Sequence, residues 1–192
     1  MEQLELLKSV VSVLEDLQLT YMIVGSYGSG AWGEARFTQD IDIVVDLSLA
    51  DAERLVNAFP LPEYYVSLEA ATEAVRYHRQ FNLIHPTSGN KVDFMVAGTD
   101  EWGRTQLRRR RSIVLGEGFA TFVGAPEDII ISKMRYFRRG QSEKHLRDIA
   151  GILKVSGEEV DREYVARWAE EFGVTEIWEA ILRRVGESAL PE

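Results

Sequence analysis

Leu4, Leu7, Val11 and Leu14 recur at helical spacing and predict an amphipathic helix over about the first 17 residues. Tyr21–Val24 is a short apolar run ending in Gly25, the pattern of a buried strand. Ser26–Trp32 is small and glycine-rich and reads as a turn leading into a short helix. Ile41–Val45 is a second apolar strand. Ser48 then caps a helix over Leu49–Phe59, with Asp51 in its first turn, where the helix dipole favours an acid. Pro60 and Pro62 stop that helix. Tyr64–Ser67 reads as a strand and Glu69–Tyr77 as a short helix. Phe81–Ile84 and Lys91–Val96 are two strands joined across the turn residues Pro86–Asn90, a hairpin pattern. Asp100–Arg110 predicts a helix, and Ile113–Leu115 and Ala120–Val123 predict short strands.

After Gly124 the period changes. Pro126 suits the first helical position, and Glu127 and Asp128 suit the first turn. Helical spacing continues over Pro126–Phe137, Ser142–Lys154, Asp161–Phe172 and Thr175–Val185. The order predicts an α+β fold. A small mixed sheet flanked by helices occupies 1–124, and a C-terminal helical subdomain, 125–192, packs on it.

Composition narrows this picture. The 192 residues are 45% hydrophobic, enough for one well-buried core or a core with a small appended subdomain. No apolar run approaches the roughly 20 residues of a membrane span, and the start of the chain does not read as a signal segment. Cysteine is absent, which removes disulfides and thiolate metal sites and fits a cytoplasmic protein. The formal net charge of −9 opposes non-specific binding to DNA or RNA. Arg104 and Arg108–Arg111 form the densest basic cluster, which reads as a solvated face or as a local phosphate contact. His78, His85 and His145 show no metal-ligand spacing, and Trp102, Trp168 and Trp178 read as packing residues.

Candidate chemistry lies in two strands. Asp40 and Asp42 flank Ile41, so on a strand their carboxylates point to one face. Two adjacent carboxylates repel, and a divalent cation between them removes that cost. Hard oxygen donors suit Mg²⁺ or Mn²⁺. Asp93 interrupts another apolar strand. If that strand lies beside the first, three carboxylates converge, the set that can hold two metal ions for phosphoryl transfer. Upstream, Gly25 allows close backbone approach to a phosphate, and the Ser26 hydroxyl adds a hydrogen bond.

Gly25-Ser26, Gly33, Arg36, Thr38, Asp40 and Asp42 together resemble the signature of the polymerase-beta-like nucleotidyltransferase superfamily. The similarity is nearest to its small bacterial members, including the AbiEii-like toxins. The resemblance implies a nucleotidyltransferase fold, an NTP bound with Mg²⁺ or Mn²⁺, and transfer of a nucleoside monophosphate to a hydroxyl acceptor. That acceptor would be a tRNA, a protein or a small molecule. It implies that Asp40 and Asp42 are metal ligands and that Asp93 is the third carboxylate, often the base for the acceptor hydroxyl. Pro126-Glu127-Asp128-Ile129 through Lys133, and Arg147-Asp148-Ile149, are similar to later motifs of the AbiEii-like branch, which face the nucleotide.

Plainer readings stand beside these. Ser26 could serve as a helix cap, and Arg36 could pair with a local carboxylate. Lys133 could be an exposed helical residue, and Asp148 could pair with Arg147 or Lys144 at the surface. At the level of the whole chain, the alternative is a non-catalytic nucleotide-binding or antitoxin-like partner with the same fold.

Overall fold

The computed structural model describes residues 1–36, 38, 40–115 and 118–188. In chain order the elements are α1 (Gln3–Asp16), β1 (Tyr21–Ile23), α2 (Gly25–Trp32), β2 (Asp40–Val45), α3 (Leu49–Asn57), β3 (Tyr65–Val66), α4 (Leu68–Tyr77), β4 (Gln80–His85) and β5 (Asn90–Val96). They continue with α5 (Glu101–Arg109), β6 (Arg111–Leu115), β7 (Phe119–Val123), α6 (Pro126–Gly140), α7 (Glu143–Ser156), α8 (Arg162–Glu171) and α9 (Thr175–Ser188). Contacts divide the chain into two compact units. One is Met1–Val24 with Phe37–Gly124, and the other is Gly25–Arg36 with Ala125–Glu192. Helix α2, adjacent in sequence to the first two strands, therefore belongs with the C-terminal helices.

The first unit holds a seven-stranded sheet in the order β3-β4-β5-β2-β1-β7-β6. The sheet is mixed: β2 with β5 and β1 with β7 are parallel, and the remaining neighbours are antiparallel. Strand alternation sorts the side chains by face. Ile41, Ile43 and Val45 of β2, and Val92, Phe94 and Val96 of β5, are buried on one side. Helices α1 and α4 contact β5, and α1 buries Leu6, Leu7, Val10, Val11 and Leu14. The opposite face is divided along its length. One end carries an apolar cluster of Met22, Val44, Ala97 and Leu107 of α5, with Val24 and Met95 against it. The other end carries Asp40, Asp42, Lys91 and Asp93.

Local signals set the element ends. Ser48 caps α3: its hydroxyl accepts from the Asp51 N–H at 3.2 Å, and the Ser48 N–H donates to the Asp51 carboxylate at 3.1 Å. Asp100 caps α5 through the Gly103 N–H at 2.8 Å. Buried Tyr21 donates to Glu15 at 2.8 Å and shares a 3.1 Å hydrogen bond with Thr121, which ties β1 to the end of α1 and to β7. Burial is the main cause that pushes its phenol up to about 12.

The second unit is helical. Gly33, at the end of α2, lies so near α7 that a Cβ there would come within 2.7 Å of the Gly151 carbonyl carbon and the Ile152 nitrogen. Backbone therefore packs on backbone at this crossing. Glu127 and Asp128 are both buried. The Glu127 carboxylate accepts from the Asp161 N–H at 3.0 Å, and Asp128 accepts from the Tyr164 hydroxyl at 2.8 Å. Acids that suit the helix dipole thus also fasten the start of α8 to the start of α6. Trp168 and Trp178 are buried here, and Trp102 is buried in the first unit. No helix among the described residues is long and apolar enough to cross a membrane.

Candidate active site

The carboxylate face is built by one parallel ladder. Strands β2 and β5 pair so that Asp40 stands opposite Lys91 and Asp42 opposite Asp93. Residues two apart on a strand share a face, so all four side chains rise from the same side of the sheet. The Lys91 ammonium lies 3.2 Å from Asp40 and 3.0 Å from Asp93, bridging the two strands. The Asp40 side chain is 45% exposed, that of Lys91 36%, and that of Asp93 14%. The hydrogen bond to Asp93 raises the Lys91 ammonium above its ordinary value; burial opposes this, and Asp40 adds to it. Lys91 is therefore charged at neutral pH. The Thr38 hydroxyl donates to the Asp40 carbonyl at 3.3 Å, at the entry to β2.

The donor set fits a hard divalent cation in kind: carboxylate oxygens from two neighbouring strands, with two of the acids in register. It is not assembled as a finished cage. Among the described residues no three His, Asp or Glu side chains are gathered closely enough to hold a metal ion, and between Asp40 and Asp93 the positive charge is an ammonium.

The second cluster lies wholly within the helical unit. Gly25, the first residue of α2, has φ +62°, the left-handed region in which a side chain is strained. Ser26 therefore sits in the first turn of the helix. Its hydroxyl accepts from an Arg36 Nη2 donor at 2.5 Å. Arg36 grips Asp148 with two donors, Nε at 2.8 Å and Nη2 at 3.1 Å. The Lys133 ammonium donates to the same carboxylate at 2.6 Å. The Lys133 and Asp148 side chains are only 6% and 5% exposed. Burial pushes the Asp148 carboxyl up, but the hydrogen bonds and charges of Arg36 and Lys133 prevail and hold it below the ordinary carboxylate value. His145 stacks on Tyr136, and burial first, then the charges of Lys133 and Lys144, pushes its imidazole down.

The structure thus joins Ser26, Arg36, Lys133 and Asp148 in one network, and Asp40, Asp42 and Asp93 on one sheet face. Two surface readings of the sequence are corrected. Lys133 is buried, not an exposed helical residue, and Asp148 pairs with Arg36 and Lys133, not with Arg147 or Lys144 as a surface acid. Arg36 does pair with a carboxylate. Lys91 escaped the sequence reading, although its position two residues before Asp93 placed it on the acid face. The arginine cluster is partly occupied locally. Arg104 donates to the Thr99 carbonyl, Arg108 to the Thr105 hydroxyl, and Arg110 lies over the Phe122 ring. His85 Nδ1 bonds the Ser88 hydroxyl within the β4–β5 turn, and His78 Nδ1 bonds the Ala97 carbonyl, each at 2.8 Å.

No protein-family model matches the chain, and no curated protein matches it by sequence. Solved structures match its shape. The solution structure of the antibiotic-resistance factor ANT(2'')-Ia superposes with a TM-score of 0.59 at 14% identity, covering 97% of this chain and 94% of that one. The crystal structure of ANT(2'')-Ia with adenylyl-2''-tobramycin gives 0.61 at 14% identity, covering 88% and 96%. An antigenic nucleotidyltransferase-like protein from Paracoccidioides brasiliensis gives 0.52 at 20% identity, covering 79% and 76%. The chain has the nucleotidyltransferase fold.

Proposed function

We propose that this chain is a nucleotidyltransferase of the polymerase-beta-like superfamily that moves a nucleoside monophosphate from an NTP to a hydroxyl acceptor. The observation that carries the reading is the β2–β5 ladder, which sets Asp42 opposite Asp93 and Asp40 on the same face. Asp40, Asp42 and Asp93 would hold Mg²⁺ or Mn²⁺. When bound, the cation would supply positive charge for the triphosphate and for the departing pyrophosphate. Asp93 takes the proton of the acceptor hydroxyl. The Gly25 backbone and the Ser26 hydroxyl receive phosphate oxygens, and Arg36 and Lys133 supply the positive charge that phosphates require. Asp148 is a positioning residue that keeps both cations oriented. Thr38 steadies the entry to β2.

The acceptor class is open to direct test: RNA, protein or small molecule. ANT(2'')-Ia is an antibiotic-resistance factor crystallised with an adenylylated antibiotic, which makes small hydroxylated molecules the first class to try. The chain is incubated with each labelled NTP, Mg²⁺ and either cell extract or a panel of aminoglycosides. RNA, protein and small molecules are then separated. Label transfer with pyrophosphate release is expected, and Asp42→Asn is expected to lower it by more than about a hundredfold, beyond the effect of losing an outer-shell partner of a metal. Unchanged transfer by that variant would sink the assignment.

A further inference from the structure

We propose that Lys91 is a built-in counter-cation for the acid face, holding Asp40 and Asp93 in the metal-free chain and giving way when a divalent cation binds. The inference rests on the reading of this face as a metal site. The Lys91 ammonium pairs with both Asp40 and Asp93, so it stands where a divalent cation shared by those two acids would have to enter. An ammonium is a compact point charge on a flexible stem, able to stand between two acids without the fixed geometry that an arginine imposes. The parallel register gives Lys91 this place: it stands across the ladder from Asp40 and two residues before Asp93 on its own strand. Its side chain is 36% exposed, so a path to solvent is open when a stronger cation arrives.

Two consequences oppose each other. Lys91 keeps the acids from repelling one another before metal binds, and it competes with the metal for Asp40 and Asp93. A divalent ion entering beside an ammonium a few ångströms away meets like-charge repulsion. Metal loading therefore displaces the lysine head group. The affinity of the face for metal is set below what three carboxylates alone would give, and release after turnover is eased by the same group.

The test measures Mn²⁺ binding to the full chain without nucleotide, by the free-ion signal in electron paramagnetic resonance. Lys91→Met is expected to bind Mn²⁺ about tenfold more tightly than the native chain, the scale of one nearby like charge damped by solvent. Lys91→Arg, which keeps the charge, is expected to stay within about twofold of native. Lys154→Met removes one positive charge at the exposed Glu34 pair and serves as the control for net charge; its binding should match native. In chelator, Lys91→Met should melt below the native chain, and Mn²⁺ should raise its melting temperature by more than it raises the native one. Equal or weaker binding by a folded Lys91→Met overturns the counter-cation role while leaving the metal site intact. Failure of both the native chain and Lys91→Met to bind more Mn²⁺ than Asp42→Asn overturns the metal site itself, and this inference with it.

Discussion

The sheet face around Asp42 and the helical cluster around Asp148 solve opposite electrostatic problems. On the sheet, one lysine bridges two acids, Asp40 and Asp93, in a half-open setting where water screens much of the charge. In the helices, two cations close on one acid; Lys133 and Asp148 are nearly sealed from water, while the Arg36 side chain is 38% exposed. The difference lies in how position is secured. A β-ladder spaces charges by register, so repelling acids can stand side by side because the backbone holds them. In the helical cluster the charges orient one another, and Asp148 is the group that both cations share.

The largest effect should expose that difference. Asp148→Asn breaks the buried ion pair between Lys133 and Asp148 and is expected to cost about 3–5 kcal/mol in denaturant unfolding, the scale for breaking a buried pair from one side. Lys133→Met should cost less, because Asp148 keeps both Arg36 donors. A loss under about 1 kcal/mol for Asp148→Asn would place the cluster among solvent-screened pairs and remove the contrast.

The same carboxyl predicts a pH signature. Its folded value is depressed, so its stabilisation is complete above the unfolded carboxylate value near 4 and is lost as pH falls through the lower folded value. The stability gap between the native chain and Asp148→Asn should be widest at neutral pH and should close below about pH 4. A gap that stays constant down to the acid transition would mean that Asp148 acts by packing and not by charge.

Packing sets the next rank. Gly33→Ala is expected to force α2 away from the α7 backbone at Gly151, costing about 1–3 kcal/mol by overpacking. Because Arg36 follows α2 and Asp148 sits on α7, the substitution should also loosen the Arg36–Asp148 pair. A double-mutant cycle between Gly33→Ala and Asp148→Asn would read this as non-additivity. The smallest effect belongs to the sheet face. Asp40→Asn should change stability by less than about 1 kcal/mol, since its side chain is 45% exposed and its partner keeps Asp93.

Much of the fold was legible in the sequence because strand and helix periods were clean. The alternation in β2 and β5 marked one face for the core and left acids on the other, and the turn Pro86–Asn90 indicated the β4–β5 hairpin. What escaped were relations across long stretches of chain. The sequence offered Asp148 its neighbours Lys144 and Arg147, whereas its partners come from α6 and from the segment after α2. Gly33 reads as part of a signature, but its requirement comes from Gly151, which no local pattern reveals. Lys91 belonged to an apolar strand in the sequence. Its role emerged only when a parallel ladder set it opposite Asp40.

That ladder also determines which changes of chain length the acid face can absorb. Asp42 and Asp93 are brought level by hydrogen bonds between β2 and β5, not by the span joining them, which holds α3, β3, α4 and β4. Extra residues grafted into the exposed turn at 60–63 leave the pair aligned. A single residue inserted between Lys91 and Asp93 turns one of them to the other side of the sheet and parts the lysine from its acid. The span between β2 and β5 is thus free to acquire new recognition surfaces, while the two strands themselves tolerate substitution but not a change in count.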